Sequence, residues 1–109
     1  MSLFADYISE RENKGIIEDA NGFASFYKLN DSVVYVEDVY VVPTMRKKKV
    51  ASGYVDKIVE LSKGQGFKSV YTTVKPSANG STDSLHAILN YGFKLKASDK
   101  DAILFEKEI

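Results

Sequence analysis

Four cations stand side by side at Arg46-Lys47-Lys48-Lys49, between an apolar stretch at residues 33–42 and a helix-like pattern beyond. Positive charge at such a handover suits an anion. The first turn of a helix leaves backbone N–H groups unpaired, and the positive end of the helix dipole lies there. Two neighbouring parallel strands also open a crevice at their carboxyl ends. The run therefore fits a phosphate site. It also fits a nucleic-acid contact, or a face that is merely solvated. Proton-handling groups form the second set. Glu37 and Asp38 fall midway along the apolar stretch, where a carboxylate is costly unless it faces a cleft or has a partner. Glu37 is preferred as a general base; its plain alternative is one half of a cross-strand charge pair. Tyr91 and His86, the one histidine, are two further titratable side chains near the end of the chain. Their plain readings are a core or rim aromatic and a surface histidine.

The elements that would position these groups follow from periodicity. Leu3, Phe4, Tyr7 and Ile8 share one helical face, so residues 3–11 read as a short helix. Residues 16–29 read as a hairpin turning at Asn21-Gly22. Residues 33–42 are nearly continuous in branched and aromatic side chains, which predicts a central strand covered on both faces and stopped by Pro43. Val50, Tyr54, Ile58 and Leu61 recur at steps of four, four and three, a helix over 47–63. Residues 67–74 are a further strand, 84–90 a short helix capped by Ser81 or Thr82 and stopped near Gly92, and two antiparallel strands flank residues 97–101. The strand–helix–strand unit in the middle makes its two strands parallel. The class is α/β (α+β): a mixed, mostly antiparallel sheet with one central parallel pair and helices on both faces.

Composition narrows the rest. The 109 residues suffice for one domain, 1–109. With 44% apolar and 28% charged residues the chain reads as globular. Fifteen basic and fifteen acidic residues cancel, which argues against a general nucleic-acid binder. No cysteine is present, so no thiolate metal site is expected, and a reducing, cytoplasmic setting fits. No apolar run has the length to cross a membrane.

The stretch VYVVPTMRKKKVASGYV resembles the core motif of the GNAT superfamily of N-acetyltransferases: an apolar strand, Val-x-Pro, then Arg or Gln-x-x-Gly-x-Gly/Ala opening a helix. The match runs through Val41, Pro43, Arg46 and Ala51, and a short helix ending in Gly92-Phe93 resembles a later family feature. In element order the resemblance covers about residues 14–109. It implies the acyl-CoA N-acyltransferase fold and acetyl-CoA as co-substrate, with no metal. Val39, Tyr40 and Val41 would face the acetyl and pantetheine groups. Arg46, Lys47, Lys48, Lys49, Val50, Ala51 and Ser52 would hold the phosphates. An amine would attack the thioester directly.

The match departs from the family pattern in three places. Lys49 stands where the family has glycine. The family's tyrosine, which protonates the leaving thiolate, falls on Ile88, and its asparagine falls on Ser81; Tyr91 is the nearest substitute. A strand and helix that usually precede the helix read at 3–11 are not matched. The resemblance thus implies an acceptor side that is open or completed by a second copy, and the sheet edge left exposed without that strand points to a homodimer. The competing reading is a GNAT-like module without catalysis that binds CoA or a protein partner.

Overall fold

The computed structural model describes residues 3–109, apart from the side chains of Phe4, Ala5 and Ile8. The apolar face expected from Phe4 and Ile8 therefore lies outside the described side chains. Among the described residues the chain order is α1 (Leu3–Glu12), β1 (Gly15–Asp19), β2 (Gly22–Lys28), β3 (Val33–Val41), a 3-10 turn (Pro43–Met45), α2 (Val50–Gly64), β4 (Ser69–Val74), α3 (Ser81–Tyr91), β5 (Lys94–Asp99) and β6 (Ala102–Glu108). The strands form a six-stranded sheet in the order β1-β2-β3-β4-β6-β5. Only β3 and β4 are parallel; every other pair is antiparallel.

The first hairpin turns one residue earlier than its Asn-Gly signal suggests. Gly22 already belongs to β2 and pairs with Val41. A Cβ at Gly22 would lie 1.9 Å from the Tyr40 carbonyl oxygen, so glycine is required by close backbone approach. Asp19 holds the turn by accepting from the Asn21 amide at 2.8 Å.

The core forms where α2 and α3 meet the sheet. Val34 and Val36 of β3, Val70 and Val74 of β4, and Phe105 of β6 alternate onto one face and bury against Tyr54 and Ile58. Burial of this apolar face is the main driving force. Leu61, expected in the buried stripe of α2, is instead exposed, and Ser62 is buried in its place. Ser62 satisfies its hydroxyl by donating to the Ile58 carbonyl oxygen at 2.7 Å. The C-terminus of α3 follows the sequence signal. Gly92 turns with φ 110°, Phe93 donates its amide back to Ile88, and its ring buries in the core. Ser81, expected as a cap, donates to the Pro76 carbonyl oxygen instead. On the other face Ile16 is buried, and α1 lies against β1.

Candidate functional site

β3 and β4 run together only at their start. Val33 pairs with Ser69, and the ladder ends at Val36 and Thr72. β3 continues to Val41 and β4 to Val74. Beyond Val36, β3 pairs only with β2, from Asp38 with Ser25 to Val41 with Gly22. The strands therefore part. The continuous cover expected over residues 33–42 stops here, and Val39 and Tyr40 are 42% and 44% exposed. Two side-chain bonds close the point of parting. Thr72 Oγ1 donates to the Val36 carbonyl oxygen at 3.1 Å, and the hydroxyls of Tyr35 and Thr73 meet at 2.6 Å.

A bulge sits at the same place. Phe26 opposes Val36 and Ser25 opposes Asp38, so Glu37 has no opposite residue on β2. The extra residue re-aims the strand. After it, Val41 packs toward the core while Tyr40 stacks on Phe23 with ring centroids 5.9 Å apart. Glu37 accepts from Lys14 Nζ at 2.7 and 3.0 Å. Lys14 also lies 3.4 Å from Glu12 and 5.9 Å from the centre of the Tyr27 ring. The hydrogen bond that Lys14 donates to Glu37, against a smaller opposing effect of burial, holds the Lys14 ammonium above the ordinary lysine range. A cavity of about 360 Å³ opens beside this pair, lined by Glu12, Asn13, Lys14, Tyr27, Lys28 and Glu37.

The basic run is not the first turn of the helix. α2 begins at Val50, and residues 46–49 form a turn before it. Lys47 and Lys49 both take φ 63°, the left-handed region, and Lys49 is the N-cap. No side chain caps α2, so helix geometry leaves the amides of Val50, Ala51 and Ser52 without partners inside the helix. Lys47, Lys48 and Lys49 are exposed around them. Arg46 folds back along the strand. Its Nε donates to the Val41 carbonyl oxygen at 2.9 Å, and its guanidinium lies 5.7 Å from the centre of the Tyr40 ring. The strand end and the basic turn are thus joined by the Arg46 side chain, across the 3-10 turn at Pro43–Met45.

Tyr91 lies apart from Glu37. Its hydroxyl donates to Asp56 of α2, its ring packs 5.8 Å from Phe93, and Lys107 Nζ lies 5.4 Å from its centre. Burial first, then the bond to Asp56, push its phenol well above the ordinary tyrosine value. Ile88 is half-buried against the core, and His86 is exposed. Lys14, Tyr27, Thr72 and Asp56 carry no local motif that would have singled them out. Lys14 is 23 residues from Glu37, and only strand pairing brings them together.

The sequence model of the acetyltransferase (GNAT) family matches residues 4–91. A comparison with curated proteins finds no match. Among solved structures, a GNAT family acetyltransferase from Elizabethkingia anophelis with acetyl-CoA bound superposes with a TM-score of 0.75 at 13% identity, over 95% of this chain and 82% of that one. Ard1 from Thermoplasma volcanium gives a TM-score of 0.75 at 21% identity, over 98% and 78%. The PaiA N-acetyltransferase from Thermoplasma acidophilum in complex with coenzyme A gives 0.74 at 18% identity, over 98% and 69%. Among the described residues no helix is long and apolar enough to cross a membrane.

Proposed function

This chain belongs to the GNAT acetyltransferase family, and we propose that it acts as one domain that transfers an acetyl group from acetyl-CoA to a primary amine. One observation carries this reading: the β3–β4 ladder stops at Val36 and Thr72 while β3 runs on to Val41, ahead of the basic turn and an uncapped helix. Past the parting, the backbone groups of Val39, Tyr40 and Val41 that face away from β2 have no strand opposite them. They suit the amide-bearing pantetheine arm as an added strand would. The amides of Val50, Ala51 and Ser52 suit a diphosphate, with Lys47, Lys48 and Lys49 adding charge-assisted contacts. Arg46 fixes the turn to the strand end through Val41 and Tyr40.

In this reading the amine attacks the thioester carbonyl directly, and proximity supplies much of the rate. Glu37 takes the proton the amine must lose. Its place at the bulge, next to the last residue paired with β4, puts it at the mouth of the parting. Tyr91 keeps its proton across the neutral range, and it reaches a leaving sulfur only by exchanging Asp56 for it. PaiA and the Elizabethkingia enzyme, which share this fold, are described with coenzyme A and acetyl-CoA respectively.

Acetyl-CoA at a hundredfold over its dissociation constant should add about 2.7 kcal/mol to unfolding stability, with thiol release on adding a primary amine. Stabilisation without thiol release, across a panel of small amines, lysine peptides and N-terminal peptides, would favour a non-catalytic CoA-binding module instead. Absence of any stabilisation would remove both readings.

A further inference from the structure

We propose that Lys14 is a site of self-acetylation, the chain's own primary amine occupying the acceptor seat. This inference rests on the transferase reading above. The observations behind it are geometric. Lys14 Nζ touches both oxygens of Glu37, at 2.7 and 3.0 Å, and Glu37 follows directly on the last β3 residue paired with β4. A second carboxylate, Glu12, lies 3.4 Å from the same ammonium, and the Tyr27 ring lies 5.9 Å away. Two carboxylates and an aromatic face make an ammonium seat. The other cation lining the cavity, Lys28, is turned to Asp31 at 3.0 Å. An amine in this seat has its proton acceptor already in contact.

The chemistry closes without a further reactant. Glu37 takes one proton from the Lys14 ammonium and passes it to water. The freed nitrogen lone pair forms the bond to the acetyl carbon. The carbon–sulfur bond breaks, and sulfur leaves with the electron pair and takes up the second proton lost from nitrogen. The products are acetyl-lysine, free CoA thiol and one proton. Because Glu37 holds the ammonium above the usual range, proton removal is costly, and the reaction should run slower than turnover of an added amine. Acetylation also removes the charge on Lys14. Glu37 and Glu12 then face the cavity without it, leaving an acidic seat open to an incoming ammonium.

The test incubates the full chain with acetyl-CoA and no other amine, followed by intact mass and peptide mapping. The expected result is one acetyl group per chain, on Lys14, accumulating at a rate independent of protein concentration. Lys14→Arg should abolish the label while acetyl-CoA still raises the melting temperature. Glu37→Gln should slow labelling about a hundredfold, in keeping with loss of a general base. Label spread over surface lysines equally in native and heat-unfolded chain would overturn the proposal. So would an unlabelled Lys14 in protein that acetyl-CoA stabilises and that acetylates an added amine; that outcome would leave the transferase reading standing. No stabilisation by acetyl-CoA would sink both.

Discussion

Thr72 Oγ1 donates to the Val36 carbonyl oxygen at 3.1 Å, across the last rung before β3 and β4 separate. A hydroxyl at this position ties the two strands where their ladder stops. Thr72→Val keeps the branched shape and removes the donor. It should cost about 1 kcal/mol in urea unfolding. An unchanged midpoint would mean that the parting does not depend on this bond.

Lys49 occupies the position where the family motif has glycine, and it does so with φ 63° and ψ 21°. A side chain in the left-handed region costs about 1 kcal/mol, and glycine does not bear that cost. Lys49→Gly should therefore raise unfolding stability by about that amount. A less stable variant would contradict the reading of Lys49 as strained.

Tyr54 donates to Asp19 at 2.6 Å and ties α2 to the first hairpin. The Tyr54 hydroxyl, then the amide of Asn21, hold the Asp19 carboxyl below its ordinary value. Stability from a depressed carboxyl is present above the ordinary aspartate pKa of about 4 and is lost as pH falls through the lower folded value. The Tyr54 phenol, raised by burial first and then by Asp19, is pushed up to about 12. Its contribution is complete below the ordinary tyrosine pKa of about 10 and is lost as pH rises toward the folded value. Melting temperature against pH should show both limbs. Tyr54→Phe should shorten both limbs: Tyr91, raised by burial and then by Asp56, and Lys14, raised by Glu37, retain part of the alkaline limb, while Asp101, held low by Ser77, retains part of the acid limb. An unchanged profile in Tyr54→Phe would contradict the assignment.

Much of the frame was legible because it rests on local pattern. The four-residue recurrence of Tyr54 and Ile58, the branched run into β3 and the Gly92-Phe93 stop all act within a few residues. What escaped the sequence depends on partners. Glu37 becomes a bulge only because β2 shifts register between Ser25 and Phe26. The helix starts at Val50 and not at Lys47 because two lysines adopt the left-handed region, a conformation their side chains do not favour. Tyr91 finds Asp56 across 35 residues, and Leu61 yields its buried place to Ser62. Periodicity records which face is apolar, not which hydroxyl can satisfy itself there.

Glu37→Gln should lower kcat about a hundredfold or more while leaving acetyl-CoA affinity unchanged. Tyr91→Phe separates two roles for the phenol. If it protonates the leaving sulfur, kcat falls by a similar factor and the melting temperature moves little. A lowered melting temperature with unchanged kcat would confine Tyr91 to bracing α3 against Asp56 of α2.

Backbone amide shifts during an acetyl-CoA titration test the central claim most directly. The account predicts the largest changes at Lys47 to Ser52 and at Val39 to Val41, and Arg46→Ala should weaken the interaction without unfolding the chain. Shifts confined to other surfaces, or none at saturating acetyl-CoA, would contradict it.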